Sequence, residues 1–430
     1  MRRKLYNKLI EWKQSKGRKP LILRGARQVG KTYLLEEFGK QEFNKTIYLN
    51  FERKPHLGSI FERDLSIERI ISEIEIEFNT KITPEDTLII FDEIQEAQKA
   101  LTSLKYFCEE GPNYYIAGAG SLLGLKTGEG SFPVGKVHFL ELYPLNFLEF
   151  LLAFDEEKLI SFLTKTKTIE PISETIHLKC LDYLKLYFYL GGMPEVIKNY
   201  LDNRDLNLAR EIQIDLLMTY SNDFSKHAGK TESIKIQELW DSIPKQLARE
   251  QKKFKYAEIK KGARSKDYEQ AISWLIIANL CHKVQCVKKP EFPLAHFTDD
   301  SFFKILLFDT GLLGAKSLIS ANTLLKGSDH FGIFKGAFTE SFVGQEMKSF
   351  GITNLYYWKS KYEAEVDFLI ERENDILPVE VKSGESGKLK SLNLFADKYA
   401  SKFKIRISAN NFYQRDNFVN LPLYGMCRFF

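Results

Sequence analysis

One segment of the sequence reads Gly25-Ala26-Arg27-Gln28-Val29-Gly30-Lys31-Thr32-Tyr33 and contains the spacing G-x-x-x-x-G-K-T. A loop of this kind closes around a polyphosphate because its backbone N–H groups point inward, its lysine reaches the outer phosphates and its threonine coordinates Mg²⁺. An apolar run, Leu21 to Leu23, precedes the loop, and a helical pattern follows it. The alternative is a chance match in a glycine-containing turn. The spacing and its flanks favour a site for ATP and Mg²⁺ formed by residues 25–33.

A second segment is an apolar run from Thr87 to Phe91 that ends in Asp92 and Glu93. The pattern is typical of a buried parallel strand with carboxylates at its C-terminal tip, the edge at which ligands bind in doubly wound sheets. We expect Asp92 to hold Mg²⁺ through water and Glu93 to orient or deprotonate the attacking water. Two acids also suit the first turn of a helix. Their position downstream of the phosphate-binding loop favours phosphoryl-transfer chemistry.

A third strand, Tyr114 to Ala117, runs into a glycine-containing tip that ends at Ser121. Polar groups at such a tip commonly sense the terminal phosphate, so Ser121 is a candidate catalytic sensor. Residues 19–143 alternate short strands with helical patterns, which predicts a parallel α/β sheet. Glycines between Gly124 and Gly135 predict a flexible loop near the phosphate edge.

Composition limits the class of protein. The chain has 430 residues, 44% hydrophobic and 28% charged, with a net charge of +5, which is ordinary for two to four globular domains. The mild basic excess permits nucleic-acid contact without requiring it. No signal-peptide pattern and no apolar run of bilayer length is evident, so we expect a cytoplasmic protein with no membrane contact. Cys281, His282 and Cys286 lie in an apolar stretch that favours buried thiols over zinc.

The middle of the chain changes character twice. Residues 144–230 have a helical pattern, broken at Gly191 to Pro194, and predict a helical lid or linker. Residues 231–300 have the order helix, short strand, helix and two extended segments, which is typical of a winged helix. Nine lysines and arginines lie between Lys245 and Lys266, with only two acids. They favour DNA contact or, alternatively, a solvated face of a lid or dimerisation domain.

The C-terminal block, residues 301–430, carries a second set of charged residues. Asp367 and Glu380 lie on two short apolar strands, and Lys382 follows two positions later. If the strands form a hairpin, the two carboxylates can share a divalent ion, with Glu340 as a third acid and Lys382 stabilising charge or orienting water. The alternative is an ion pair on an edge strand of the sheet that binds no metal ion.

The chain resembles a family of prokaryotic AAA-type ATPases with a C-terminal domain of unknown function. The residues that carry the resemblance are Gly25 to Thr32, Phe91 to Gln95, Ala119 to Leu123, Leu142 to Leu145, Gly191 to Glu195, Asp309 to Leu313 and Gly336 to Glu346. The resemblance implies an α/β P-loop domain (1–143), a helical lid (144–230), a winged helix (231–300) and a module similar to PD-(D/E)xK nucleases (301–430). Lys31, Thr32, Asp92 and Glu93 match the ATPase motifs. Glu340, Asp367, Glu380 and Lys382 match the acids and lysine of the nuclease motif.

The chain departs from the pattern of AAA-type ATPases in one feature that affects the rate of ATP hydrolysis. AAA-type sites usually take an arginine finger from a neighbouring subunit, but the stretch between Ser121 and Tyr143 offers only Lys126 and Lys136. A lysine lacks the bidentate fork of arginine, so slow turnover is expected, and oligomerisation stays open. The leading hypothesis is an ATP-dependent switch on nucleic acid. The alternative is a nucleotide-dependent interaction protein that binds a protein partner through a degenerate nuclease-like module.

Overall fold

A computed structural model describes residues 1–121, 133–165, 168–249, 253–326, 332–360, 364–384 and 389–430. These residues divide into two compact units. The first comprises Met1–Tyr143 with Ile277–Asn279, and the second comprises Pro144–Ile276 with Leu280–Phe430. Among the described residues, none of the helices combines the length and the apolar character that a bilayer span needs.

The first unit is an α/β domain built on a parallel sheet. Its helices are α1 (Leu5–Gln14), α2 (Lys31–Glu42), α3 (Ile67–Glu77) and α4 (Gln98–Glu109). Its strands are β1 (Leu21–Arg24), β2 (Lys45–Asn50), β3 (Thr87–Asp92), β4 (Tyr115–Gly120) and β5 (His138–Glu141). The strand order is β2-β3-β4-β1-β5, and each neighbouring pair is parallel. The predicted P-loop α/β sheet is therefore observed.

The sheet brings its functional loops to one edge. Strand β1 ends at Arg24, which is in register with Gly120 of β4, and Asn50 at the end of β2 is in register with Asp92 of β3. Each residue of β3 is buried, so this strand needs apolar side chains on both faces. Phe91 packs its ring edge-to-face against Phe51 and Phe61, with centroid distances of 5.8 and 5.4 Å. This packing fixes the end of the strand that carries Asp92.

The second unit combines helices with a mixed sheet. Its helices are α5 (Phe147–Ala153), α6 (Glu157–Lys165), α7 (Glu174–Leu190), α8 (Pro194–Asn203), α9 (Leu206–His227), α10 (Lys230–Leu247), α11 (Ser265–Ile277), α12 (Thr310–Lys316), α13 (Ala321–Lys326), α14 (Gly332–Ser349) and α15 (Lys390–Tyr399). Its strands are β6 (Cys281–Val287), β7 (Thr298–Leu307), β8 (Leu355–Lys359), β9 (Glu365–Arg372), β10 (Asp375–Val381), β11 (Lys404–Ser408), β12 (Tyr413–Arg415) and β13 (Phe418–Pro422). The sheet order is β12-β13-β11-β10-β9-β8-β6-β7.

The two strands expected to form a separate wing within residues 231–300 do not form an isolated hairpin. Strand β6 pairs antiparallel with β7, but it also pairs in parallel with β8, so both strands continue the C-terminal sheet. The expected boundary between residues 300 and 301 falls inside β7. Local periodicity identifies a strand but not the distant strand that pairs with it, which is why the sequence suggested an isolated hairpin.

The break predicted at Gly191 to Pro194 is observed between α7 and α8, and Asp309 explains its geometry. The Asp309 carboxylate accepts hydrogen bonds from the backbone N–H groups of Gly192 (2.6 Å) and Leu312 (2.9 Å). The second bond caps α12. A Cβ atom at Gly191, where φ is +73°, would lie 2.2 Å from Asp309 Oδ1, so this position needs glycine.

Candidate nucleotide site and C-terminal carboxylate cluster

The loop of residues 25–33 has the backbone of an anion-binding site. Gly30 (φ 94°) and Gln28 (φ 62°) both take positive φ, and Gly30 immediately precedes α2. A Cβ atom at Gly25 would lie 2.1 Å from the Leu142 carbonyl oxygen, so only glycine fits there. The turn therefore directs backbone N–H groups and the N-terminus of α2 to one point. Tyr33, in the first turn of this helix, is 52% exposed.

Lys31 holds a charge inside this loop. Its side chain is buried, and Nζ donates to the backbone oxygens of Gly25 (2.9 Å) and Ala26 (2.8 Å). Burial lowers the pKa of Lys31 to about 8, while the charges of Glu93 and Asp92 oppose that shift. An ammonium bound to neutral carbonyls gains from an incoming anion, so the loop suits a phosphate group.

Asp92 is held by three donors on a single oxygen. Its Oδ2 atom accepts hydrogen bonds from Thr32 Oγ1 (3.0 Å), Tyr48 OH (2.5 Å) and Asn50 Nδ2 (3.1 Å). A hydroxyl and a carboxylate oxygen side by side next to Lys31 are the donor set that a P-loop offers to Mg²⁺. The residues therefore fit the ion.

Tyr48 and Asn50 are site residues that the sequence prediction missed. They occupy alternate positions of β2, next to β3, and so face the same side. Burial and the hydrogen bond to Asp92 raise the pKa of Tyr48, which keeps the phenol protonated as a donor. The sequence feature that could have identified them is a pair of polar residues at alternate positions of the strand that precedes the one ending in Asp92.

Glu93 lies directly after Asp92 in a strained conformation. Its φ is 49°, in the left-handed region that glutamate rarely adopts. Gln95 Nε2 donates to Glu93 Oε2 at 2.5 Å and so fixes the direction of the carboxylate. Burial raises the pKa of Glu93, whereas Gln95 and the charge of Lys31 lower it. Such strain clusters at functional sites, which supports a role for Glu93 beyond the start of a helix.

Ser121 follows β4, whose last residue is in register with the end of β1. Its Oγ atom is buried and has no hydrogen-bond partner among the described residues. A buried hydroxyl without a partner is destabilising, so a ligand oxygen at this edge would be favourable. The expected loop from Gly124 to Gly135 lies mostly outside the described residues.

The cations near the loop contact acids. Arg27 pairs with Glu52 at 3.4 Å, and Arg24 lies 4.0 Å from Glu141. Lys136, one of the two lysines between Ser121 and Tyr143, pairs with Glu109 at 2.9 Å. The other, Lys126, lies outside the described residues. Lys136 is thus engaged by a surface carboxylate away from the phosphate-binding loop.

The structure also brings the C-terminal acids together. Strands β9 and β10 are antiparallel, with Phe368 opposite Val379. Asp367 Oδ2 accepts a hydrogen bond from the Val381 N–H group at 2.8 Å, and Lys382 Nζ donates to Glu380 Oε1 at 2.6 Å. Burial and the neighbouring charge of Asp367 raise the pKa of Glu380 to about 7. The expected hairpin therefore places Asp367 near Glu380, with Lys382 bonded to an acid of the same cluster.

Lys304 and Glu365 are members of this cluster that the sequence prediction did not include. Lys304, on β7, is fully buried and lies 2.9 Å from Glu340 Oε1, 2.6 Å from Glu365 Oε1 and 3.8 Å from Asp367 Oδ1. Within the described ranges, no group of three or more His, Cys, Asp or Glu residues is arranged to hold a metal ion. The ammonium lies between Glu340 and Asp367, two of the three acids expected to hold a divalent ion, so these two do not fit that ion, whereas Glu380 contacts Lys382. The sequence feature that could have identified Lys304 is a single lysine within an apolar strand.

The basic segment from Lys245 to Lys266 is divided between paired and exposed side chains. Lys245 pairs with Glu258 at 2.9 Å, and Arg249 contacts the same carboxylate. Lys252 lies outside the described residues. The exposed basic residues near the start of α11 are Lys260, which also pairs with Glu238 at 3.4 Å, Lys261, Arg264 and Lys266.

The cysteine cluster has the expected environment. Cys281, His282 and Cys286 are all buried in β6. Burial lowers the pKa of His282 to about 3 and raises the pKa of the Cys286 thiol. Neutral side chains in an apolar strand agree with buried thiols.

Family models match most of the chain in three parts. Residues 17–151 match an AAA domain, residues 181–323 match a domain of unknown function (DUF8612), and residues 335–424 match another domain of unknown function (DUF4143). No match is found among curated proteins.

Several solved structures are similar in part. A Walker-type ATPase of Pyrococcus abyssi has 16% identity and a TM-score of 0.45, covering 74% of this chain and 95% of that one. The ORC1 protein of Aeropyrum pernix in complex with DNA has 13% identity and a TM-score of 0.30, covering 73% and 90%. AMPPCP-bound DnaA from Aquifex aeolicus has 15% identity and a TM-score of 0.31, covering 64% and 86%. The AAA domain match and the loop geometry identify the N-terminal part of the chain as an AAA-type P-loop ATPase domain.

Proposed function

We propose that this protein binds ATP with Mg²⁺ at residues 25–33 and hydrolyses ATP slowly, as a switch that acts on nucleic acid. One observation carries the nucleotide part of the proposal. Thr32 Oγ1 lies 3.0 Å from Asp92 Oδ2, and the same loop holds the buried ammonium of Lys31. Phosphate and magnesium ligands are therefore adjacent, as phosphoryl transfer requires.

Each residue has a separate part in the proposed reaction. Lys31 exchanges the carbonyls of Gly25 and Ala26 for the outer phosphates, and the N–H groups of the loop hold the remaining phosphate oxygens. Bound Mg²⁺ would neutralise phosphate charge and would be held by Thr32 and Asp92. Glu93, oriented by Gln95, accepts a proton from the attacking water. The Ser121 hydroxyl donates to the terminal phosphate.

Slow turnover is part of the proposal because the arginines next to the loop already contact acids. Arg27 pairs with Glu52, and Arg24 lies near Glu141 and over the Phe139 ring. An arginine finger contributes roughly 10³–10⁵ to the rate where one operates. The basal rate of the isolated chain should therefore be low.

The nucleotide proposal is tested by equilibrium binding of a fluorescent ATP analogue. Lys31→Ala should lose binding, since it removes the cation that meets the outer phosphates. Lys40→Ala is the matched control because Lys40 is an exposed lysine on the same helix. Equal affinity of Lys31→Ala and Lys40→Ala for the analogue would remove the loop from nucleotide binding.

The nucleic-acid part of the proposal is supported by the exposed basic residues near α11. A salt titration of binding to random duplex DNA tests it, because phosphate contacts release counterions and each contributes a slope of about −0.9. The triple variant Lys261→Ala/Arg264→Ala/Lys266→Ala should bind less tightly and with a shallower slope. Lys158→Ala/Lys165→Ala, which removes two exposed lysines of α6, is the control. DNA affinity that is unchanged in the triple variant would contradict this part.

A second candidate function is a nucleotide-dependent protein-interaction switch, and the C-terminal cluster favours it. Lys304 contacts Glu340 and Asp367, two of the acids expected to hold a metal ion in a nuclease-like module. A module with such a cluster would serve as a docking surface. Absence of DNA affinity at low salt, together with intact nucleotide binding, would select this candidate.

A further inference from the structure

The carboxylate cluster of the second unit surrounds a lysine ammonium. The cluster is defined by Glu340 on α14, Glu365 and Asp367 on β9, and Lys304 on β7. Lys304 Nζ lies 2.9 Å from Glu340 Oε1, 2.6 Å from Glu365 Oε1 and 3.8 Å from Asp367 Oδ1. Its side chain is 0% exposed. Two elements that are distant in sequence, α14 and β9, thus direct their acids to one buried positive charge on β7.

We propose that the Lys304 ammonium takes the place of a divalent cation in this cluster, so that the acids share a fixed positive charge without a metal ion. A buried lysine without partners tends to lose its proton, whereas several carboxylates keep it charged. The charges of Glu340, Glu365 and Asp367 raise the pKa of Lys304 well above its ordinary value, in spite of complete burial. The hydrogen bond to Glu340 and the ion pair with Glu365 are the contacts of a charged ammonium.

A divalent ion and the ammonium compete for the same oxygens. Mg²⁺ holds its ligands at about 2.0–2.1 Å, so it would have to displace the Nζ atom that bridges Glu340 and Glu365. The Lys304 side chain is fully buried, and Nζ lies 4.8 Å from the centroid of the Tyr357 ring. Displacement would leave a buried ammonium without its acids, which is strongly unfavourable.

The neighbouring acids are engaged as well. Asp367 uses its second oxygen to accept the Val381 N–H group, and Glu380 accepts a hydrogen bond from Lys382. The Val381 N–H group and Lys304 thus contact Asp367, and Lys382 contacts Oε1 of Glu380, whose buried Oε2 has no hydrogen-bond partner among the described residues. The ammonium also joins β7, β9 and α14, which gives Lys304 a structural role in the second unit.

Manganese binding to the nucleotide-free full-length chain tests this proposal, with free Mn²⁺ followed by electron paramagnetic resonance. Wild type and Asp367→Asn should bind Mn²⁺ equally, because the cluster takes none. Lys304→Ala should gain one Mn²⁺ per chain, and that gain should disappear in Lys304→Ala/Asp367→Asn. Lys404→Ala, which removes a lysine of β11 in the same sheet, is the control and should behave as wild type.

Two results would overturn the proposal. One is a wild-type chain that binds one Mn²⁺ more than Asp367→Asn does, since the cluster would then hold a metal beside Lys304. The other is a folded Lys304→Ala variant that gains no Mn²⁺. If Lys304→Ala does not fold, the comparison of wild type with Asp367→Asn still decides, because it needs only the native cluster.

Discussion

Replacing Tyr48 with phenylalanine should weaken Mg·ATP binding although Tyr48 belongs to none of the recognised motifs. Asp92 Oδ2 accepts hydrogen bonds from Thr32, Tyr48 and Asn50. When the Thr32 hydroxyl turns to Mg²⁺, Tyr48 and Asn50 remain to orient the carboxylate, and Tyr48→Phe leaves Asn50 alone. A hydrogen bond to a charged group contributes about 1.5–3 kcal/mol, and loss of a partner that orients a metal ligand weakens metal affinity roughly 10–100-fold.

The assay is titration of a fluorescent ATP analogue with and without Mg²⁺, combined with denaturant unfolding of the apo protein. Tyr6→Phe is the matched control, because Tyr6 OH donates to Glu42 Oε1 at 3.0 Å on helices α1 and α2. That variant loses a phenol–carboxylate bond of the same kind outside the loop, so it should change stability alone. Magnesium-dependent affinity that is the same in Tyr48→Phe and Tyr6→Phe would refute the orienting role of Tyr48.

Three further predictions concern other residues. Ser121→Ala should fold normally, since its hydroxyl has no partner among the described residues, and should slow single-turnover hydrolysis without weakening ATP binding. Burial raises the pKa of Asp309 from 3.8 to about 6. The pKa of Asp309 is thus higher in the folded state than in the unfolded state, so protonation of this residue stabilises the fold. That contribution to stability is full below about pH 4 and is lost as pH rises to about 6. The unfolding free energy of wild type minus that of Asp309→Asn, measured by denaturant titration, should fall across that range; a flat difference would contradict the shift. Lys304→Met should lower the unfolding free energy by about 3–5 kcal/mol, because it leaves buried acids without their cation; an unchanged denaturation midpoint would contradict the buried ion cluster.

Local motifs allowed the candidate nucleotide site to be predicted. The spacing from Gly25 to Thr32 and the acids after β3 lie within continuous segments, and parallel strands bring their carboxyl ends to one edge. Asp92, Glu93 and Ser121 could therefore be placed from the sequence. The helix break before Pro194 follows from the two glycines that precede it.

The remaining features depend on pairing between distant segments. Tyr48 becomes a site residue only because β2 lies beside β3, and Lys304 meets its acids only because β7 and β9 belong to one sheet. The strands expected to form a separate wing differ from that expectation for the same reason, since β6 pairs with β8 as well as with β7. The alternation of side chains along a strand predicts which residues share a face, but it does not predict which strand lies next to it.

Single-turnover hydrolysis of radiolabelled ATP by wild type and Glu93→Gln, at equal nucleotide occupancy, tests the central claim of a hydrolytic site most directly. The two proteins should bind ATP with similar affinity, because Gln keeps the shape of the side chain and leaves Lys31, Thr32 and Asp92 intact. Release of phosphate should be slow in wild type and at the level of the protein-free reaction in Glu93→Gln, which lacks a proton acceptor. Equal rates of phosphate release from the two proteins would contradict the account.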